Sequence, residues 1–182
     1  MGMIESGDSK VIIRDVRGEE LPDIPGLILE AYKEYETFMP PAAWNHYVRD
    51  IIDVEGRMPV SELIVAETQR RLVGSVTLFR DLSLLGQDTW PASWAGVRLL
   101  AVRPNSRGLG IGRALMDECL HRCRESGFTT LGLHTVDFME IARRMYEKMG
   151  FLRASEYDFK PAAGITVMAY RLDLSQGVAV DF

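Results

Sequence analysis

The sequence is poor in the residues that build the commonest reactive and metal-binding clusters. It holds two cysteines and three histidines in 182 residues. Cys119 and Cys123 lie four apart on one predicted helix face, a spacing that suits core packing better than a disulfide, and no His or Cys cluster offers a zinc site. No metal is therefore expected. Positive charge is not in excess: 21 basic against 26 acidic side chains give a net charge of −5, which argues against a nucleic-acid partner. No apolar run approaches the roughly 20 residues of a membrane-spanning helix. The first residues lack the basic start and apolar core of a secretory signal, so a cytoplasmic location is expected. Repeats, low-complexity tracts and linkers are missing too. What remains is 47% hydrophobic and 26% charged, enough to bury a core as one domain.

The informative stretch is Leu99 to Leu115, LLAVRPNSRGLGIGRAL. Leu99-Leu100-Ala101-Val102 reads as a buried strand that stops at Arg103-Pro104-Asn105, where proline removes a donor and biases the residue before it away from helix. Gly108, Gly110 and Gly112 follow at alternate positions. Leu115, Met116, Cys119, Leu120 and Cys123 then recur at helical spacing. Strand, glycine loop, helix is the layout of an anion site: bare amides point out of the helix start, glycine admits a ligand to the backbone, and the macrodipole favours phosphate. Arg103, Arg107 and Arg113 add positive charge beside it.

The dinucleotide fingerprint is excluded, because its third glycine would fall at Arg113. A P-loop is excluded too, because no lysine follows Gly112. Arg107-Gly108-Leu109-Gly110-Ile111-Gly112 instead resembles the pyrophosphate loop of the GCN5-related N-acetyltransferase (GNAT) family, and LLAVRPNS resembles the end of that family's fourth strand. A second block, Ala142 to Phe151 (ARRMYEKMGF), resembles the family's A-x-x-x-Y-E-x-x-G-F motif.

Taken in order, the chain reads as strand (Val11–Asp15), two helices (Leu21–Tyr35 and Trp44–Ile52, the second ending near Gly56), hairpin (Leu63–Ala66 and Leu72–Phe79), strand, helix, strand (Phe128–Val136), helix (Met139–Met149) and two last strands near Leu152–Phe159 and Ile165–Leu172. Gly74 inside a strand implies a bulge or a close backbone approach. Residues 81–95 form a long loop with Trp90 and Trp94. This order is similar to the GNAT acyl-CoA N-acyltransferase fold. It implies an α/β (α+β) class, with a mixed central sheet of about seven strands flanked by about four helices. A single domain would cover 1–182, with a core of about 10–174, a frayed end at 1–9 and a tail at 175–182.

The resemblance implies a cofactor, acetyl-CoA as co-substrate, and a function, transfer of its acetyl group to a primary amine of a small molecule or protein by direct attack in a ternary complex. It implies that the backbone of Leu100, Ala101 and Val102 pairs with pantetheine, lying between two splayed strands like an added strand. The Val102 amide would polarise the thioester. Arg107, Gly108, Leu109, Gly110, Ile111, Gly112 and Arg113 would hold the pyrophosphate, and Ala142 and Tyr146 would also face the coenzyme. Tyr146 would be the acid, since a phenol of ordinary pKa about 10 can donate to a departing thiolate of pKa about 8.5.

The base is open. The family's frequent strand Glu aligns with Gly96, which leaves a water, His134, Glu30 or Glu34. His134 alternates with buried positions and also reads as an ordinary strand residue. Asp137 reads as a helix cap or a coenzyme contact through water. The acceptor pocket would draw on Tyr32, Tyr35, Phe38, Trp44, Trp90 and Trp94. Expected partners are an amine acceptor and, by family analogy, a second copy as homodimer; neither nucleic acid nor membrane is expected. The missing strand Glu leaves a non-catalytic acyl-CoA-binding sensor or regulatory module as the alternative.

Overall fold

The computed structural model describes residues 3–6, 9–85, 90–162 and 164–175. Residues 86–89 of the expected long loop, Ala163 and the tail 176–182 lie outside the described residues. The described chain forms two compact units. The first holds the chain up to Leu78 together with Arg98–Cys119, and the second holds Phe79–Val97 and the chain from Leu120 onward. The polypeptide passes between them inside two strands and one helix.

In the first unit, strands β1 (Met3–Ser6), β2 (Ser9–Asp15), β3 (Ser61–Thr68), β4 (Arg71–Phe79) and the end of β5 (Ala95–Val102) lie side by side in that order. The expected frayed start is instead a strand: β1 pairs antiparallel with β2, from Met3 opposite Ile12 to Ser6 opposite Ser9. It satisfies backbone groups that an edge strand would leave open. β3 and β4 are joined through Gln69 and Arg70 at φ 48° and 62°, the paired left-handed geometry of a two-residue hairpin turn.

The expected first helix is cut into pieces. A 3-10 turn Gly18–Asp23 precedes helix α1 (Ile24–Tyr32), and another, Lys33–Phe38, follows it. Pro22 and Pro25 lack the N–H that a continuous helix would use there. α1 buries Ile24, Leu27, Ile28, Ala31 and Tyr32, the three- and four-residue spacing read from the sequence. Helix α2 (Pro41–Ile52) ends at Asp53, whose carboxylate accepts from the Gly56 amide at 3.0 Å and caps the short α3 (Val54–Arg57).

In the second unit the strand order is the start of β5, then β6 (Thr130–Val136), β9 (Ile165–Asp173) and β7 (Leu152–Arg153), with β8 (Phe159–Ala162) also on β9. β5 and β6 run parallel, connected by α4 (Ile111–Glu125). β6 pairs antiparallel with β9 along its whole length, Thr130 opposite Asp173 to Val136 opposite Val167. Helix α5 (Glu140–Lys148) lies between β6 and β7 in sequence.

The expected continuous strand 152–159 is broken by a 3-10 turn at Ser155–Tyr157. There a side chain replaces the ladder: the Asp158 carboxylate accepts from the Ala169 amide at 2.8 Å and from Arg153 at 2.6 Å. The described residues thus hold nine strands and five α-helices. The additions to the expected set are β1, α3 and this division of one strand into two.

Candidate functional site

The glycine loop sits in the first unit. Pro104–Ser106 makes a 3-10 turn after β5, and Gly108 and Gly110 adopt φ +78° and +76°. Those angles are costly for a residue with a Cβ. A Cβ on either would meet nothing within 4 Å, so the space beside each glycine is open. The first helical bond runs from the Ala114 amide to the Gly110 carbonyl at 3.0 Å. The amides of Ile111, Gly112 and Arg113 therefore have no carbonyl of their own helix to bond, and they carry the positive end of its macrodipole.

Ile111 anchors this helix start. It is 2% exposed, and it lies so near Gly74 that a Cβ there would approach Ile111 Cγ2 and Leu115 Cδ1 to 3.1 Å and the Ala101 carbonyl to 3.0 Å. The close approach expected at Gly74 is real. Leu109, half-exposed, projects from the loop.

Each of the three arginines has a carboxylate partner. Arg103 pairs with Glu30 and donates to the Leu72 carbonyl at 2.9 Å. Arg107 pairs with Glu34 at 2.7 Å and donates to the carbonyls of Ala31 at 2.8 Å and Val102 at 3.3 Å. It thereby fastens the end of α1 to the end of β5. Arg113 faces Asp117 one turn along α4, at 2.9 Å. Glu30 and Glu34, sequence candidates for the base, are the carboxylates occupied in these pairs.

β5 changes character along its length. Its register with β6 runs from Ala95 opposite Leu131 to Val97 opposite Leu133 and goes no further. Two residues on, Leu99 takes φ +55°, a left-handed geometry rare for a side chain of this size. Leu100, Ala101 and Val102 follow this kink, and the Tyr32 hydroxyl donates to the Leu100 carbonyl at 3.3 Å. The loop and the end of β5 thus bring Leu100–Val102 and Arg107–Arg113 together within one unit. Open amides at a helix start, preceded by two glycines with empty space where a Cβ would stand, fit a phosphate-bearing group.

Ala142, Tyr146 and His134 lie in the second unit. Tyr146 is buried on α5, and the helix end fixes it. Gly150 at φ +90° lets the Phe151 amide reach back to the Tyr146 carbonyl and its own amide to the Glu147 carbonyl, both at 3.0 Å. These are the two bonds of a Schellman motif. Its usual apolar contact is here the Tyr146 ring on Phe151, with centroids 5.8 Å apart. The A-x-x-x-Y-E-x-x-G-F spacing is therefore helix-end geometry that also sets the tyrosine's position. Ala142 is half-buried one turn earlier. Asp137 does not cap α5; it accepts from the Phe138 amide at 2.9 Å.

His134 is half-buried among aromatic rings, 4.6 Å from Trp90 and 5.0 Å from Phe159. Its Nε2 lies 3.0 Å from the Tyr157 carbonyl. A carbonyl only accepts, so Nε2 carries the proton in this contact. Trp90 stacks on Tyr157 at 4.9 Å, and Trp94 meets Tyr157 edge-on at 5.2 Å. These two tryptophans therefore pack with Leu82, Ala154 and Ala169 in a core cluster.

Gly96, where the family's Glu would align, is opposite Gly132 in the ladder, and Leu82 covers both. A Cβ at position 96 would overlap the Leu82 side chain. Two glycines facing each other across adjacent strands were the sequence signal for this covering residue, but it shows only once the register is known.

The Acetyltransferase (GNAT) family profile matches residues 28–151, from mid-α1 through the Tyr146 block. The chain belongs to the GNAT family. An uncharacterized N-acetyltransferase of Schizosaccharomyces pombe is 32% identical over 80 residues, which cover 44% of this chain and 48% of that protein. The match thus spans about half the length of that curated relative. Among solved structures, a GNAT-family acetyltransferase of Staphylococcus aureus Mu50 superposes with a TM-score of 0.68 at 18% identity, covering 90% of this chain and 99% of that one. The PaiA N-acetyltransferase of Thermoplasma acidophilum, solved in complex with coenzyme A, gives 0.69 at 17% identity, covering 89% and 99%. At these identities the structural likeness concerns the GNAT fold. No helix among the described residues is long and apolar enough to cross a membrane.

Proposed function

We propose that this GNAT protein transfers the acetyl group of acetyl-CoA to a primary amine, by direct attack in a ternary complex. The observation that carries the reading is the open amide cradle of Gly108–Arg113 at the start of α4. It suits a pyrophosphate, and the coenzyme contributes an acetyl thioester as the activated acyl group. The backbone of Leu100–Val102, past the Leu99 kink, binds the pantetheine arm. The Val102 amide donates to the carbonyl oxygen as negative charge develops there. The amine nitrogen forms the new C–N bond and yields a proton to water or a base, and the C–S bond breaks. The Tyr146 hydroxyl gives its proton to the departing sulfur. His134, Glu30 and Glu34 stay as candidates for the base, beside water.

A second reading, acyl-CoA binding without transfer, has its own observation: Leu82 fills the space a carboxylate at position 96 would need. Thiol release from acetyl-CoA, measured against amines, amino acids, peptides and polyamines, separates the two. Acetyl transfer predicts release with one acceptor class. Silence across the panel, with calorimetry showing coenzyme bound, would favour the sensor.

A further inference from the structure

One cluster in the first unit is rich in hydrogen-bond donors that lack acceptors. Arg98, on β5, donates through Nη2 to the Asp50 carboxylate of α2 at 2.7 Å, and its Nε and Nη1 have no partner among the described residues. Arg57 spends both terminal nitrogens on the C-terminal carbonyls of α2, at 2.6 Å to Asp50 and 2.9 Å to Ile51, while its Nε is buried without a partner. The Tyr47 hydroxyl, also on α2, makes no hydrogen bond among the described residues. Its ring is flanked by Tyr32 and Trp44, each with its centroid 6.1 Å away.

The local acceptors are largely used. Asp50 Oδ2 takes Arg98, and Asp53 Oδ1 takes the Gly56 amide. Burial, and then the nearby Arg98 charge, lower the Arg57 pKa. Burial raises that of Tyr47 against the pull of Arg98, so the phenol keeps its proton and remains a donor. An unmet buried donor is costly, which holds here for Arg57 Nε; the remaining Arg98 nitrogens and the Tyr47 hydroxyl, less buried, can take a planar anion. A guanidinium matches a carboxylate in shape as well as charge. Tyr32, which touches the Tyr47 ring, also bonds the Leu100 carbonyl. The cluster is thus one aromatic ring away from the backbone assigned to the pantetheine arm.

We propose that the acceptor is a primary amine that also carries a carboxylate, read by Arg98 with help from the Tyr47 hydroxyl. This rests on the acetyl-transfer reading and names its substrate class. Apolar contact with the half-buried Tyr47 ring favours an acceptor with an aromatic or aliphatic body.

The test uses matched sets: phenylalanine, phenylalaninamide and 2-phenylethylamine, and the same three forms of leucine. Transfer to the carboxylate member should exceed that to the other two by about tenfold or more in kcat/KM, the size of one charge-assisted contact. Arg98→Gln should erase the preference by raising KM for the carboxylate member alone. Asp50→Asn, which frees the guanidinium, should lower that KM. A merely structural pair would instead make both variants worse for every acceptor, and that result overturns the proposal. Equal rates within each set overturn it as well.

Calorimetry of N-acetylphenylalanine and its amide, with coenzyme A present, reads recognition without turnover. Carboxylate-selective binding with no thiol release would keep the carboxylate site at Arg98 and sink acetyl transfer. Transfer without carboxylate preference would do the reverse, and neither binding nor transfer overturns both.

Discussion

Leu82 lies over Gly96 so closely that the two positions share one side chain between them: a Cβ at 96 would overlap Leu82 Cγ and both of its δ carbons. Leu82 is 1% exposed and packed in the cluster with Trp90. Gly96→Ala should therefore destabilise by about 1–3 kcal/mol, as overpacking does. Leu82→Ala in the same chain should recover part of that loss, a coupling that a double-mutant cycle of thermal or urea midpoints measures. Additive effects would show that the overlap is relieved elsewhere.

Tyr146→Phe keeps the ring against Phe151 and the Schellman bonds, which are main-chain. If the hydroxyl protonates the departing sulfur, kcat should fall by about a hundredfold or more while the coenzyme Kd changes little. Undiminished turnover in this variant removes the acid role.

The glycine loop predicts a contrast between neighbours. Leu109→Ala trims a half-exposed side chain and should leave coenzyme affinity unchanged. Gly110→Ala puts a Cβ into open space but at φ +76°, where the strain is about 1–2 kcal/mol. The loop would relax away from that angle and turn its amides, so coenzyme affinity should drop several-fold in calorimetry. Equal effects of the two changes would argue against main-chain recognition.

Acid stability should depend on one ion cluster. The Arg14 guanidinium donates to Glu20 at 2.6 and 2.8 Å and also to Glu67. Its hydrogen bond, above all, holds the Glu20 carboxyl down to about 2 from an ordinary 4.5. A depressed carboxyl stabilises the fold when ionised. The contribution is complete above the unfolded-state value near 4.5 and is lost as pH falls toward 2. Glu20→Gln should lower the melting temperature at pH 7, by an amount that shrinks from pH 4.5 downward and vanishes as pH falls through 2. A constant gap across that range would rule the linkage out.

The loop and the Tyr146 block were readable from sequence because each is local: a helix start needing bare amides, and a helix end needing glycine at a fixed offset from Tyr146. The contacts around the other candidate residues were not local. Leu82 on Gly96, the Tyr157 carbonyl on His134 and Arg98 on Asp50 join residues from separate elements. Periodicity carries no record of such pairings. Trp90 and Trp94 showed the same limit, since an aromatic residue in a long loop has the same letter whether it lines a pocket or packs beneath Leu82. Asp158 broke an expected strand because its carboxylate does the work of a ladder amide's partner, and no apolar pattern announces that.

The pairing of Arg103 with Glu30, Arg107 with Glu34 and Arg113 with Asp117 bears on how fast a polyanion arrives. In a chain of net charge −5, arginines already matched by carboxylates project little field beyond a Debye length. If the helix start takes the coenzyme's pyrophosphate, capture falls to its fixed dipoles, which act only at short range. The field that remains is that of the net −5, which repels a polyanion, so the association rate should rise modestly as salt screens it between low and physiological ionic strength.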